Sequence, residues 1–270
     1  MPALSIALFP AAYYLLAGLG VNLGYHRVLS HRSVRLPKWF ERSLITLGLP
    51  AGTPVQWAGN HRYHHAHADT ALDPHSPLQE GFWHAHVGWY LNTSNVMPCI
   101  LYSLAGPLRM LIDAWMRPRT NQEFNLLAAD VMRDPWYCRL SQPGPYGLAM
   151  HIHFLIPALL THYFWGWAGT LVFYLTLVVL YNLGDSIDSV SHMYGDGLPG
   201  QRDRSRNSTI MGLLILGEGW HANHHRYPWS AKHGIAKGQF DWTWQVIRIL
   251  AAIGLAKDVR LPSNPESSAN

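Results

Sequence analysis

The sequence predicts an all-α integral membrane protein with about three transmembrane helices, a re-entrant or interfacial helix and a cytoplasmic helical cap. Charged residues make up only 13% of the 270 residues, which is about half the share usual in soluble proteins. Trp and Tyr are abundant, with 12 and 13 copies. Three long segments are almost wholly apolar, namely 3–24, 146–167 and 168–187. Each is long enough to cross the hydrocarbon layer of a membrane.

The first apolar segment, 3–24, carries no charged side chain and can span about 30 Å of hydrocarbon. A cleaved signal peptide is the alternative. Against it, the segment has no positive region before it and no convincing small-residue cleavage site. We therefore expect residues 3–24 to form the first transmembrane helix.

Histidine is concentrated in three short blocks, HRVLSH, HRYHH and HANHH, which contain His26, His31, His61, His64, His65, His221, His224 and His225. Neutral imidazole is the commonest nitrogen ligand for zinc, copper, iron and nickel. Residues at i, i+3 and i+4 share one face of an α-helix, so each HxxHH block should direct its three side chains to one point. His26 and His31 are five residues apart and should straddle a helix end. A lone His usually only forms hydrogen bonds, but the repetition predicts a site for more than one metal ion.

One metal site requires that the three blocks lie on the same side of the membrane. A single crossing by 3–24 and a hairpin by 146–187 satisfy this condition. Residues 43–58 are apolar but broken by Gly and Pro, and a crossing there would separate the blocks, so we expect a re-entrant or interfacial segment. Basic residues follow the first span, whereas the outer loop near 162–168 has no Lys or Arg. The positive-inside rule therefore places the site on the cytoplasmic side.

The rest of the chain is expected to form the cap and a tail. Residues around 100–115 and 121–132 have amphipathic patterns between Pro-marked turns. We expect one domain over 1–261 and a flexible polar tail over 262–270. The formal charge is +4, but no basic stripe with interleaved aromatic residues is present, so no nucleic-acid partner is expected.

The strings GYHRVLSHRS, QWAGNHRYHHAHADTALDPHSPLQEGFWHAHVGWY, DRSRN and GEGWHANHHRYPWSAKHG carry a family resemblance. Together, over about residues 18–258, the sequence resembles the membrane-bound fatty-acid desaturases, in particular the acyl-CoA/Δ9-type branch. The resemblance implies a bacterial inner-membrane enzyme with a non-haem diiron centre. Such an enzyme uses O2 to remove hydrogens from an unactivated alkyl chain.

The resemblance also implies the ligand set. It assigns the eight block histidines and adds His192, in DSVSHMYG, as a ninth ligand. The family has Asn, which orders a water near one metal, where this chain has Asp188. Asp188 could bind metal directly or through water and could alter what the oxidant does. His75, His84 and His86 are expected to form hydrogen bonds rather than to ligate, and His233 has no assigned role.

The expected substrate site is an apolar tunnel lined by Trp57 and Trp89. Tyr13 and Tyr14 lie roughly 18 Å back along the first span from His26, at 1.5 Å per residue. Their side chains could close the tunnel, although lipid-facing tyrosines are an equal alternative. Animal relatives hold a coenzyme A phosphate with an Arg–Lys pair where this chain has Thr93 and Ser94. Because charge-assisted phosphate contacts are strong, this favours an acyl chain on a carrier protein or a glycerolipid.

Electrons are expected from a separate ferredoxin or cytochrome, since no haem domain or nucleotide fingerprint is recognisable in the sequence. Two alternative functions remain open. The same iron site could hydroxylate the chain or convert an alkene to an alkyne. A histidine-rich metal transporter is less favoured, because transporters place their ligands near the membrane midplane.

Overall fold

The computed structural model describes residues 2–117 and 126–263, and within these ranges the regular structure is helical, with three isolated β-bridges. The helices are Pro2–Leu19, Gly20–Ser30, Lys38–Gly48, Leu49–Ala51, Pro54–His67, Pro77–Glu80, His84–Gly88, Trp89–Leu91, Val96–Leu104, Leu108–Met116, Ala129–Met132, Pro135–Leu140, Pro143–Ser189, Val190–His192, Thr209–Leu214, His221–Arg226 and Trp242–Ala252. The all-α prediction is confirmed. Part of the helix predicted over 121–132, and most of the tail predicted over 262–270, lie outside the described residues.

The first helix changes its winding along its length. Pro2–Leu19 is α-helical, and the chain continues directly as a π-helix over Gly20–Ser30. In a π-helix each N–H bonds to the carbonyl five residues earlier, and the His31 N–H continues this pattern to the His26 carbonyl at 3.1 Å. The apolar helix Ser5–Ser30 is long enough to cross a membrane. The predicted span at 3–24 falls largely within it.

The segment after the first helix turns back beside it. Lys38–Gly48 packs against the π-helix so closely that a Cβ atom on Gly20 would lie 2.6 Å from the Gly48 backbone nitrogen. The chain reverses over Leu49–Ala51 and begins the helix Pro54–His67. Thr53 caps this helix by accepting a hydrogen bond from the Gln56 N–H at 3.2 Å, as N-cap residues do. Residues 43–58 therefore reverse direction and do not form one continuous span, while their re-entrant or interfacial position stays a prediction.

The longest helical segment, Pro143–Ser189, is a hairpin of two antiparallel arms. Gly166 has φ 59° and ψ −147°, a backbone conformation that essentially only glycine adopts. Met150 and Phe173 pack in one buried cluster, although about 35 Å would separate them along a straight helix. The arms match the predicted spans 146–167 and 168–187. With the first helix they give three apolar helices that can cross the membrane.

The helices Val96–Leu104 and Leu108–Met116 form a bent pair at 120°. The outward side chains are apolar, with Leu101 63% and Trp115 68% exposed. The inward ones include the buried Arg109 and Asp113. This polarity is the reverse of that expected for a water-facing amphipathic helix over 100–115. Pairing of Arg109 with the hairpin draws the polar side chains inward, and the bent pair has the character of a broken span or re-entrant loop.

Candidate metal centre

Nine histidine side chains meet at one end of the three apolar helices, in two groups. Within each group the candidate ligand atoms lie within 4.8 Å of one another. Cluster A consists of His26, His31, His61, His65 and His224, and cluster B of His64, His192, His221 and His225. The structure thus brings together all nine histidines named from the sequence. It also shows that the three blocks lie on one side of the apolar helices.

Each HxxHH block is divided between the two clusters. His61 and His65 contribute to cluster A, whereas His64 contributes to cluster B. In the second block His224 belongs to cluster A, and His221 and His225 belong to cluster B. The prediction that each block points to one place was wrong. Residues i and i+4 are separated by only about 40° around an α-helix, while i+3 and i+4 diverge by about 100°.

Because each block helix serves both clusters, the clusters are adjacent. The ring centroids of His65 in cluster A and His225 in cluster B lie 4.4 Å apart. The site is therefore suited to two neighbouring metal ions held by the same two short helices.

His26 and His31 enter cluster A from the π-helix. His26 lies within this helix and His31 is the residue immediately after it, as the five-residue spacing suggested. The wider winding brings positions i and i+5 together, and the two ring centroids are 5.0 Å apart. An α-helical interpretation of the sequence could not account for this proximity.

The ring nitrogens in each cluster face one another as metal ligands do. The Nε2 atoms of His31 and His61 are 2.8 Å apart, and those of His192 and His221 are 3.1 Å apart. His26 Nε2 is 3.0 Å from His224 Nε2. A neutral imidazole has one N–H and one lone pair. Where Nδ1 donates its hydrogen to a carboxylate, the Nε2 lone pair is directed into the cluster, and a cation there relieves the repulsion.

Four carboxylates accept hydrogen bonds from Nδ1 atoms of the clusters. The pairs are His26–Glu218 at 2.7 Å, His64–Asp73 at 3.1 Å, His192–Asp69 at 2.9 Å and His225–Asp203 at 3.0 Å. Such partners fix the tautomer and orientation of a metal-binding imidazole and raise its basicity. The histidines of the two clusters, with their carboxylate partners, therefore suit a metal that imidazole prefers, such as iron, zinc or copper.

Sequence reasoning missed these four carboxylates. A signal was available, because each lies in a string next to a histidine block: HADTALD follows HRYHH, DRSRN precedes the third block, and Glu218 is three residues before His221. His233, which had no assigned role, also belongs here, with Nδ1 3.1 Å from Glu218 Oε2.

Burial lowers the pKa of six cluster histidines, His31, His61, His65, His221, His224 and His225. Burial also acts on His64, but the hydrogen bond to Asp73 raises its pKa. The pKa of His61 and that of His224 lie well below the usual value, because neighbouring histidines add to the effect of burial. Burial alone would raise the pKa of Glu218, but His233, His26 and Arg27 hold that pKa well below its usual range. The site thus combines several neutral imidazoles, whose lone pairs are free, with charged carboxylates behind some of the ligands.

Replacement of Asp73 by asparagine should weaken metal binding at cluster B by about 10- to 100-fold. The buried Asp73 carboxylate accepts hydrogen bonds from His64 Nδ1 and from the Asp69 N–H at 2.8 Å, and asparagine removes its charge. Metal affinity of the purified chain, measured by chelator competition, tests this expectation. Asp258→Asn is the matched control, since Asp258 forms an exposed ion pair with Arg35. Equal affinities for the two variants would contradict the assigned role of Asp73.

A cavity leads from the clusters into the space between the apolar helices. Its wall includes Tyr14, Trp57, Trp89 and Asp188. Trp57 stacks on His61, with ring centroids 5.0 Å apart. Tyr13 lies outside this lining and packs on Phe173 at 6.0 Å. Three of the four proposed substrate contacts thus lie on the cavity wall.

Asp188 lies on the cavity wall, one helical turn before His192. It is not among the described side chains whose ligand atoms group within 4.8 Å of one another. This position fits contact with cluster B through water better than direct binding of a metal ion.

Three further histidines have other environments. His84 Nδ1 and Nε2 lie 3.2 Å and 3.1 Å from backbone carbonyls, and His86 lies 2.9 Å from Ser189 Oγ. Both therefore form hydrogen bonds, as expected. His75 groups with His64 and Asp73, and its backbone N–H donates to Asp73 at 3.2 Å.

The fold and site together are those of a helical membrane protein with two adjacent histidine clusters that could hold metal, beside a largely apolar cavity. Comparison with known sequences gives the family: the chain belongs to the fatty acid desaturase family, whose model matches residues 4–248. The match therefore includes all three histidine blocks.

Named relatives act on acyl chains in different forms. A probable chloroplast lipid desaturase of Arabidopsis thaliana is 38% identical over 92% of this chain and 62% of its own. An sn-2 palmitoyl-lipid 9-desaturase of a Nostoc species is 36% identical over 98% of this chain and 85% of its own. An acyl-CoA C20 Delta5-desaturase of Anemone leveillei is 35% identical over 93% and 73%, respectively. The chain thus spans 62% to 85% of the lengths of these relatives.

Proposed function

We propose that this chain is an O2-dependent diiron oxidoreductase that introduces a double bond into an acyl chain. The observation that carries the proposal is the placement of clusters A and B at a largely apolar cavity among membrane-spanning helices. Family membership supports the same reaction. It also speaks against the alternative of a histidine-rich metal transporter.

In this proposal the nine cluster histidines hold two iron ions. Iron bound there would supply the O2 activation and one-electron chemistry that an unactivated C–H bond requires. The chain's own contribution is to fix four of the nine imidazoles through carboxylates, as Asp73 does for His64. Asp188 would contact cluster B through water.

The cavity would hold and orient the acyl chain. Apolar side chains of the first helix and the hairpin, such as Val21 and Leu180, line it and would exclude water from the reacting carbons. Tyr14 also lines the cavity, and its hydroxyl donates to the Leu214 carbonyl. This bond ties the first helix to the segment before the third histidine block, so Tyr14 would limit the length of the bound chain, while Trp57 and Trp89 would contact it.

The acyl carrier is proposed to be a carrier protein or a glycerolipid. Thr93 and Ser94 offer no positive charge for a coenzyme A phosphate, and Ser94 Oγ donates instead to Glu80 at 3.1 Å. Lipid-linked substrates in the names of the Arabidopsis and Nostoc relatives favour the glycerolipid. Electrons would come from a separate ferredoxin or cytochrome, with the site facing the cytoplasm of a bacterial inner membrane.

Mass spectrometry of lipids and acyl thioesters from cells expressing the chain tests this function. We expect a product two hydrogens lighter than its parent acyl chain, and its loss in a His64→Ala variant because His64 belongs to cluster B. His162→Ala is the control, since His162 lies in the hairpin with Nδ1 near Thr170. A product one oxygen heavier would show hydroxylation instead, and one four hydrogens lighter would show alkyne or diene formation. An unchanged lipid profile with an active electron donor would contradict the proposal.

A further inference from the structure

The cavity lining is chemically mixed. The first helix and the hairpin contribute apolar side chains, among them Val21 and Leu180. The same cavity is also lined by a group of polar side chains that we call the polar chamber, which consists of Gln56, Asn60, Trp89, Arg109 and Tyr181. An apolar acyl chain alone offers these groups no hydrogen bond.

Each member of the polar chamber has a buried polar atom without a hydrogen-bond partner among the described residues. These atoms are Gln56 Oε1, Asn60 Oδ1, Trp89 Nε1, Arg109 Nε and Tyr181 Oη. Gln56 and Asn60 are only 4% and 6% exposed, and Arg109 is 1% exposed. Since buried polar groups are nearly always partnered, five such atoms on residues that line one cavity indicate a site for a polar ligand group.

The polar chamber lies directly beside the metal centre. Gln56 and Asn60 precede His64 by eight and four residues on the helix Pro54–His67, so the three side chains share one helix face. Cluster B therefore borders the chamber. A group held there would fix the distance between itself and the carbons that reach the metal ions.

The charges of the polar chamber disfavour an anion. Arg109 Nη1 is 2.6 Å from Asp185 Oδ2 in a buried ion pair, so its guanidinium charge is already balanced. Arg117 lines the same cavity, and its Nε lies 3.5 Å from Asp113 Oδ2, so its charge is balanced as well. The free groups comprise both donors, on Trp89 and Tyr181, and acceptors, on Gln56 and Asn60. This mixture suits an uncharged oxygen group.

We propose that the polar chamber binds an uncharged oxygen function of the acyl substrate, either a hydroxyl on the chain or the carbonyl of its ester or thioester. The inference rests on the proposed function, because it takes the cavity to hold an acyl chain. A carbonyl would accept from the Trp89 and Tyr181 donors, and a hydroxyl would also donate to Gln56 or Asn60. The position of the new double bond would then be set by its distance from this oxygen.

Competition binding to the purified full chain in detergent tests the proposal. Radiolabelled 1-hexadecanol is the bound ligand. Unlabelled hexadecane, 1-hexadecanol, methyl palmitate and palmitate are the competitors that displace it. We expect the alcohol, the methyl ester or both to bind at least about tenfold more tightly than hexadecane, as expected for an added buried hydrogen bond. Palmitate should bind no more tightly than methyl palmitate or 1-hexadecanol.

Two variants identify the source of the oxygen. If methyl palmitate is preferred and Tyr181→Phe removes its advantage, the bound group is the acyl carbonyl. If 1-hexadecanol is preferred and Gln56→Leu removes its advantage, the bound group is a hydroxyl. Tyr174→Phe is the control, because the Tyr174 hydroxyl donates to the Leu104 carbonyl, away from the polar chamber.

Three results would overturn the inference. Equal binding of hexadecane and the oxygen-containing probes would mean that the polar chamber holds only water. Tightest binding of palmitate would make it an anion site. Binding of none of the probes would refute the acyl cavity itself, and with it both proposals, whereas the lipid product analysis tests desaturation without reference to the polar chamber.

Discussion

The His221→Ala variant should lose one metal ion, and its product formation should fall by more than about 100-fold. This loss exceeds the loss of about 10- to 100-fold expected when a carboxylate that supports a ligand is replaced. His221 Nε2 lies 3.1 Å from both His192 Nε2 and His225 Nε2 in cluster B. Removal of His221 leaves three histidines in a cluster of four. Elemental analysis of the purified variant, together with its lipid products, measures both effects.

The matched variant is His224→Ala, in the same block but in cluster A. Removal of His224 leaves four histidines in a cluster of five, so this variant should retain more metal than His221→Ala while also losing product formation. His162→Ala should keep the metal content and activity of the unmodified chain. Equal metal loss in the two cluster variants would contradict the expectation that the fifth histidine of cluster A makes its ion less dependent on a single ligand.

The second large effect is expected from filling the cavity. Gly184 lines the cavity, and a Cβ atom built on it would meet no atom within 4 Å. A Gly184→Phe side chain can therefore enter the space without displacing the backbone. Because displacement of a substrate by about 1 Å can cost about 100-fold in rate, we expect a loss of this order. Metal content should not change.

Product formation per bound metal ion measures this effect. Gly144→Phe is the control, since Gly144 also has open space around its Cβ position but lies near the start of the hairpin, outside the cavity lining. Unchanged activity of Gly184→Phe would mean that the acyl chain does not occupy this cavity. Equal losses in both glycine variants would instead point to a general effect on the hairpin.

The sequence was sufficient to predict the apolar spans, the absence of a crossing by residues 43–58 and the eight block histidines, and the family resemblance added His192. Uncharged apolar stretches and repeated HxxHH blocks are local patterns, and recognising them does not require knowledge of the tertiary structure. The division of each HxxHH block between two clusters was not predicted, because histidines on one face of a helix were expected to bind the same metal ion. The side chains of His64 and His65 are rotated by about 100° from each other around the helix axis, so they enter different clusters.

Other features depended on geometry that a pattern of residues does not contain. The proximity of His26 and His31 results from a π-helix, whereas the sequence was interpreted with α-helical spacing. The carboxylate partners approach from separate loops, as Asp69 does at 2.9 Å from His192 across 123 residues. The ion pair between Arg109 and Asp185 also joins distant helices. The strings beside the histidine blocks contain these acidic residues, but the sequence does not show which histidine each of them contacts.

The number of metal ions bound by the purified chain tests the central claim most directly. Clusters A and B are separate groups of five and four histidines, so elemental analysis should give two iron ions per chain when the protein is produced with sufficient iron. X-ray absorption at the iron edge should show nitrogen ligands of imidazole type and no sulfur ligands. One ion per chain, or retention of zinc in place of iron in the chain that forms product, would contradict the diiron account.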